Sequence, residues 1–385
     1  MQTKGRKAWL VALIAVAALF VAACGSSSGG STKSTTTAAG GSSATTVAGG
    51  DTSAPADTSG APSDADLAKL TGSIAGAGSS FQDGFDQKII TDFLAKATGA
   101  KVVYAKSGSA DGKQQLADGT VDFAGTDSLI KDTEPLFAKK ADVLYFPTVL
   151  APITLSYDLP SVKKLQLSAD TIAKIFQAQV TTWNDPAIAA DNPGVTLPST
   201  KITVVHRSDG SGTTSNFTKY LKAASPSVWK LDSGDTVNWP ASTQGAAKNS
   251  GVAASIGQTE GAIGYVDLID AAKASLSVAS VKNLAGKYIA PTPAGASAAA
   301  EKVDVAADLT YSPLNAAGDA AYPITSPTWI ILYKTQKDPA KAAVLKAFLT
   351  WALTNGQAVA TQVLYAPLPE ALRAKALAQV AQITG

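Results

Sequence analysis

Apolar, β-like stretches in this chain run repeatedly into short turns of serine and glycine, and each turn opens onto a helical pattern. Ser73 to Gly76 leads into Gly76-Ala77-Gly78-Ser79-Ser80, after which Phe81, Phe85, Ile89 and Phe93 recur at the four-residue spacing of one helix face. Ala100 to Tyr104 leads into Ser107-Gly108-Ser109-Ala110-Asp111-Gly112, followed by a helical Lys113 to Leu116. Ile202 to Val205 leads into Gly210-Ser211-Gly212-Thr213, with a helix continuing through Asn216, Phe217, Tyr220 and Leu221. Further strands are expected at Val121 to Ala124, ending in Gly125-Thr126-Asp127, and at Val143 to Thr154, Ala262 to Val266 and Trp329 to Tyr333. Helices are expected at Ser168 to Ala178, with Ser168 as N-cap, and at Ala340 to Thr354. Strands alternating with helices predict an α/β architecture with parallel sheets. The turns matter for chemistry too. A helix N-terminus carries unpaired N–H groups and a partial positive charge, and small residues let its backbone approach an anion closely.

Composition narrows the function classes. The chain has 385 residues, of which 45% are apolar, enough for a buried core and about two domains. A single Cys excludes an intramolecular disulfide, and a single His leaves no Cys/His zinc site. The net charge of +2 lacks the basic excess of a nucleic-acid binder. The N-terminus reads as an address. Lys4, Arg6 and Lys7 precede the apolar run Ala8 to Ala23, which is short for a membrane span and suits a signal peptide over residues 1–23. The run ends Val21-Ala22-Ala23-Cys24, which resembles a bacterial lipobox and implies lipidation at Cys24. Loss of Lys4, Arg6 and Lys7 with that leader would make the balance slightly negative. Residues 24–70 are mostly Ser, Thr, Gly and Ala, too poor in large apolar side chains to fold, and read as a flexible tether.

The densest local feature is His206-Arg207-Ser208-Asp209-Gly210-Ser211-Gly212-Thr213. A β-branched strand delivers Arg207 to its C-terminal end, the edge at which open α/β sheets bind ligands. The guanidinium can fork onto an oxyanion, Asp209 can steady it, and Ser211, Thr213 and the backbone offer further donors. A surface arginine beside an ordinary helix cap would carry the same residues.

Taken in order, these segments resemble the PstS-type phosphate-binding proteins of bacterial phosphate ABC transporters, from about Gly72 to the C-terminus. The resemblance is carried by Gly76 to Phe81, Gly108-Ser109, Thr120 to Asp127, Thr182-Trp183-Asn184-Asp185-Pro186-Ala187-Ile188, Arg207 to Thr213, Gly261-Ala262-Ile263-Gly264-Tyr265-Val266 and Lys334-Thr335-Gln336-Lys337-Asp338-Pro339. It implies a two-domain periplasmic-binding-protein fold (type II, Venus-flytrap) with phosphate in the interdomain cleft. Residues 71–148 and 322–385 would form domain 1 and residues 149–321 domain 2. Carried over by position, it implies phosphate ligands at Ser80, the Phe81 backbone, Ser109, Asp127, Arg207, Ser211, Gly212 and Thr213, with Asp209 steering Arg207. His206 is then structural, and Asp111 departs from a stretch that is usually Gly- or Ser-rich. It also implies a membrane permease as partner, a lipid-anchored extracytoplasmic location, a monomer, and no cofactor or metal.

A carboxylate at Asp127 suits an anion site only if the ligand carries a proton: protonated phosphate can donate to it, and fully ionised sulfate cannot. A helix cap or turn role for Asp127 is the plain alternative. Two other functions stay open, a lipid-tethered phosphate sensor and an enzyme acting on a phosphorylated substrate. Against the enzyme, His206 would have to serve any Ser-His-Asp triad, and no base stands beside Ser211 in the sequence.

Overall fold

The computed structural model describes residues 62–385. The expected signal peptide, Cys24 and most of the expected tether lie outside that range. The bound expected for the tether, residue 70, falls inside the folded part. Ser63 caps a short helix, Asp64–Leu67, which buries Leu67 against the core and pairs Asp64 with Lys96 at 2.7 Å.

The elements that build the site are β1 (Gly72–Gly78), α1 (Asp83–Leu94), β2 (Ala100–Ala105), α2 (Ser109–Asp118), β3 (Phe123–Thr126) and β4 (Val143–Tyr157). They continue as α3 (Ala169–Phe176), β5 (Thr203–Arg207), α4 (Gly212–Ala224), β6 (Gln244–Ala246), α5 (Lys248–Gly257), β7 (Ala262–Asp267), β8 (Thr325–Tyr333) and α6 (Pro339–Leu353). One curled sheet runs in the order β2-β1-β3-β8-β4-β7-β5-β6, with Ser277–Val278 added against β4. Gln166–Leu167, Ser280–Lys282 and Tyr288–Ile289 form a separate three-stranded sheet.

The sheet is mixed, not parallel as the alternation predicted. β1 pairs parallel with β2 and β3, and β5 parallel with β6 and β7, but β8 is antiparallel to β3 and β4, and β4 to β7. The reason lies in the chain path. β4 pairs with β8 over Val143 to Pro152 and with β7 over Ile153 to Tyr157, so it passes from one half of the sheet to the other. β8 brings the chain back beside it, and a strand that returns alongside its own outbound partner must run antiparallel. Both are buried nearly throughout, which explains their mostly apolar sequences, and their buried threonine and serine hydroxyls pair with one another or with backbone, as Thr148 does with Thr328 at 2.6 Å.

Several shared motifs turn out to be scaffolding. Trp183 is fully buried and donates from Nε1 to the Gly261 carbonyl at 3.0 Å. Asp185 caps the next helix through the Ala187 N–H, with Pro186 at its first position, and Asp338 with Pro339 does the same for α6. Ser168 caps α3, as expected. In α1 the apolar face packs Phe93 against Phe348 and Trp351. Tyr265 of β7 stacks on Phe217 of α4 at 4.5 Å, and Phe176 of α3 meets both rings within 6 Å, edge-on to Phe217 and tilted to Tyr265.

Candidate functional site

Three turns converge where the two halves of the sheet meet: Ser79 to Gln82 after β1, Ser107 to Ser109 before α2, and Ser208 to Gly212 after β5. Their contacts cross between the halves. The Ala110 N–H reaches the Gly210 carbonyl at 3.3 Å, and Asn216 Nδ2 donates to the Asp127 carbonyl at 2.6 Å. Gly212 makes the approach possible, since a Cβ there would stand 2.6 Å from Ser109 Oγ and 2.8 Å from Asp127 Oδ2. Gly108 serves differently: its φ of +102° is one that side chains rarely adopt, and a Cβ would meet Asp209 Oδ2 at 2.8 Å.

Arg207 lies at the end of β5 with its side chain 1% exposed. Nε and Nη2 donate to the two Asp209 oxygens at 2.7 and 2.6 Å, and Nη1 donates to Asn249 Oδ1 at 2.6 Å. A guanidinium has five N–H groups, so two remain for another acceptor. Lys248 braces Asp209 from behind, through its N–H at 3.0 Å and Nζ at 2.8 Å, and Nζ also reaches the Ser107 carbonyl. Burial alone would raise the Asp209 carboxyl, but the bonds from Arg207 and Lys248 hold it well below the usual carboxylate range.

The hydroxyls are arranged alike. Ser80 Oγ accepts from the Asn249 N–H at 3.2 Å, Ser211 Oγ from the Thr214 N–H at 3.1 Å, and Thr213 Oγ1 from Asn249 Nδ2 at 3.4 Å. Each keeps its one proton to give. The N–H groups of Gly212 and Thr213, first in α4, have no intrahelical acceptor. Among these donors sits one acceptor. Asp127 is 2% exposed; its Oδ1 accepts from Ser79 Oγ at 2.6 Å, and its Oδ2 has no hydrogen-bond partner. Burial lifts its pKa to about 7, against the lowering pull of Ser79 and Arg207. Ser109 Oγ accepts from the Asp127 N–H at 3.3 Å.

The PBP superfamily domain matches residues 29–355. The phosphate-binding protein PstS of Xylella fastidiosa is 37% identical over 302 residues, covering 77% of this chain and 81% of that protein. The phosphate-binding protein PstS of Methanocaldococcus jannaschii is 36% identical over 296 residues, covering 70% of this chain and 76% of its own. This chain belongs to the PstS family. The fold agrees: a high affinity periplasmic phosphate-binding protein, solved with phosphate at pH 8.5, superposes with a TM-score of 0.67 at 23% identity, over 80% of this chain and 94% of that one.

Within this PstS-family chain, the residues singled out from sequence fall at one place with one difference of detail. The Phe81 N–H, expected to face the ligand, donates to Ser79 Oγ at 3.0 Å, because α1 begins only at Asp83 and residues 79–82 form a separate turn. His206 stacks on Trp239 at 5.0 Å, and its Nδ1 lies 2.9 Å from the Arg207 carbonyl. Burial lowers its pKa. Sequence reasoning passed over Ser79, Asn216 and Asn249. Ser79 lay inside a motif already noted. The two asparagines sit in otherwise ordinary helices, and only their partners mark them. Also unforeseen is a buried ion cluster beside the cleft. Lys113, 1% exposed, reaches Glu134 at 2.6 Å and Asp235 at 3.0 Å, and Asp235 also pairs with Lys131 at 3.0 Å. Among the described residues no group of His, Cys, Asp and Glu is placed to hold a metal, and no helix is long and apolar enough to cross a membrane.

Proposed function

We propose that this protein captures inorganic phosphate between the two halves of its sheet and delivers it to the permease of a phosphate ABC transporter. One observation carries the reading: Asp127 Oδ2, a buried acceptor with no partner, stands in a ring of uncommitted donors. A tetrahedral oxyanion with one remaining proton fits that set. Its oxygens take the free N–H groups of Arg207, the hydroxyl protons of Ser80, Ser211 and Thr213, and the N–H groups of Gly212 and Thr213. Its own O–H goes to Asp127. Ser109 closes the ring beside Asp127, and Phe81 contributes by sharing its N–H with Ser79. Sulfate would bring lone pairs against a carboxylate, and sites that depend on one specific hydrogen bond reject analogues lacking it by about 10⁴–10⁵.

Delivery follows from the chain path. Residues 71–148 and 322–385 make one lobe and 149–321 the other, with the crossings where β4 changes partners near Pro152 and where the chain returns before Thr325. Ligand held by both lobes favours the closed state, and closure is the signal a permease can read. Cys24, lipidated, would keep the protein at the outer face of the membrane. Binding rather than catalysis is supported by Ser211, whose Oγ is engaged as a helix cap, with the imidazole of His206 held against Trp239.

The test is calorimetric titration of the purified chain, first stripped of bound anion by unfolding and refolding. One-to-one heat with phosphate and none with sulfate is expected. A folded sample that takes up no phosphate would refute the reading.

A further inference from the structure

Asn249 is fully buried at the start of α5 and bonds to three of the site's residues. Its Oδ1 accepts from Arg207 Nη1 at 2.6 Å, its backbone N–H donates to Ser80 Oγ at 3.2 Å, and its Nδ2 donates to Asp267 Oδ2 at 2.7 Å and, at the longer distance of 3.4 Å, to Thr213 Oγ1. The amide can sit only one way round. A guanidinium offers donors alone, so the atom facing Arg207 must be the oxygen, and the amide nitrogen must face a carboxylate. Asp267 supplies that carboxylate, and its other oxygen caps the following helix through the Asp270 N–H at 2.8 Å. The chain of contacts therefore runs from a capped helix start, through Asp267 and Asn249, to the guanidinium.

Asp209 alone would leave the arginine able to hinge about the Nε–Nη2 edge that its fork holds. Among the described residues, only Asn249 holds the Nη1 end. Lys248, at φ +63°, turns the backbone into α5 so that residues 248 and 249 face Asp209 and Arg207 together.

We propose that Asn249 is a positioning residue for anion binding: held by Asp267, it sets the plane of Arg207 so that the two uncommitted N–H groups point at the ligand. Its backbone N–H meanwhile occupies the lone pair of Ser80 and leaves that hydroxyl's proton for the same ligand. This rests on the phosphate-receptor reading above. A bond to a charged group predicts a loss of about 10- to 100-fold in phosphate affinity for Asn249→Ala, with the Ser80 contact kept because it uses the backbone.

The experiment is a double-mutant cycle on the full chain, with labelled inorganic phosphate in equilibrium dialysis up to millimolar concentrations. It compares wild type, Asn249→Ala, Arg207→Ala and the double variant, each checked for folding by its ligand-free melting curve. Expected is a 10- to 100-fold loss from Asn249→Ala in the wild-type background and less than about threefold once Arg207 is gone, since the side chain acts mainly through its 2.6 Å bond to that arginine and only weakly through its 3.4 Å contact with Thr213. A loss of the same size in both backgrounds, or none in a folded Asn249→Ala protein, overturns the proposal. Should Asn249→Ala fail to fold, the exchange Asn249→Asp with Asp267→Asn keeps an acceptor toward Arg207 and a donor behind it. That pair is expected within about threefold of wild type, and Asn249→Asp alone at least tenfold weaker. Equal affinities in these two would overturn the proposal. Absence of phosphate binding in the wild type would instead refute the receptor reading itself.

Discussion

Asp127→Asn separates the two consequences of putting a carboxylate in an anion site. In the ligand-free protein the carboxylate is a burden. Its pKa is lifted from 3.8 to about 7, so the folded state holds a proton that the unfolded state has lost between those values. Unfolded chains bind fewer protons in that window, so this group's contribution makes stability fall as pH rises from about 4 to about 7 and stay level above it. At about 1.4 kcal/mol per pH unit the cost amounts to about 4 kcal/mol. With an unfolding entropy of about 2 cal/mol/K per residue over about 320 residues, that corresponds to about 6 °C. Melting curves of wild type and Asp127→Asn without anion should therefore coincide near pH 4, with the variant about 6 °C higher by pH 7.5.

Ligand binding should change in the opposite sense. The amide introduced by Asp127→Asn would keep an oxygen toward the Ser79 hydroxyl, whose bond to Oδ1 is 2.6 Å, and would put a donor where Oδ2 stands. That NH₂ suits sulfate and meets the phosphate O–H donor to donor. Discrimination against sulfate should fall from about 10⁴–10⁵ to about 100-fold or less, read by titrating each anion calorimetrically at pH 7.5. A folded variant that excludes sulfate as strongly as the wild type would refute the assignment of Oδ2 to the ligand proton. A melting difference that does not change between pH 4 and 7.5 would refute the electrostatic account.

Arg207→Lys keeps the charge but cannot satisfy Asp209 in a fork and Asn249 together, so phosphate affinity should drop at least about 100-fold in calorimetry; a drop below threefold would remove the guanidinium geometry from the argument. Gly212→Ala places a methyl 2.6 Å from Ser109 Oγ and 2.8 Å from Asp127 Oδ2, so it should hold the halves apart. Phosphate binding is lost and small-angle scattering shows a larger radius, whereas unchanged binding would mean the turn can shift without cost. Lys113→Met leaves Asp235 and Glu134 without their shared cation in a buried place, which should cost about 3–5 kcal/mol in denaturant unfolding; a loss under about 1 kcal/mol would show the cluster to be solvated.

What could be read from the sequence, and what could not, divides by the range over which each residue acts. Arg207, Asp209, Ser211, Gly212 and Thr213 belong to one turn, and their roles follow from the local rule that a strand end hands a charged residue to a helix N-terminus. Gly108 and Ser109 follow from the neighbouring rule that a strand running into a small-residue turn opens onto a helix N-terminus. Strand existence was equally local. The direction of β4 and β8 was not, because it depends on where the chain goes between Tyr157 and Thr325, and no period-two pattern encodes a crossing. The start of β3 moved for a related reason. Asp122 binds the Ala75 N–H at 2.8 Å with its side chain and ends the turn there, a contact between residues far apart in sequence.

Asn249 is the harder case. An asparagine inside Lys248-Asn249-Ser250-Gly251 looks like a poor helix former near a helix start, and helix propensity gives it no further meaning. Its significance comes from one donor-only neighbour, Arg207, and one acceptor, Asp267, 42 positions before it and 18 after. Only the pairing of those two in space fixes which way the amide faces. The ion cluster of Lys113, Glu134 and Asp235 is of the same kind: three charged residues of the sort usually found at a surface, whose burial the sequence does not announce. The ligand-facing turns can thus be inherited as short motifs, while the groups that hold them in position are scattered along the chain. A search for phosphate-site determinants confined to the motifs would find Asp209 but miss Asn249 and, behind it, Asp267.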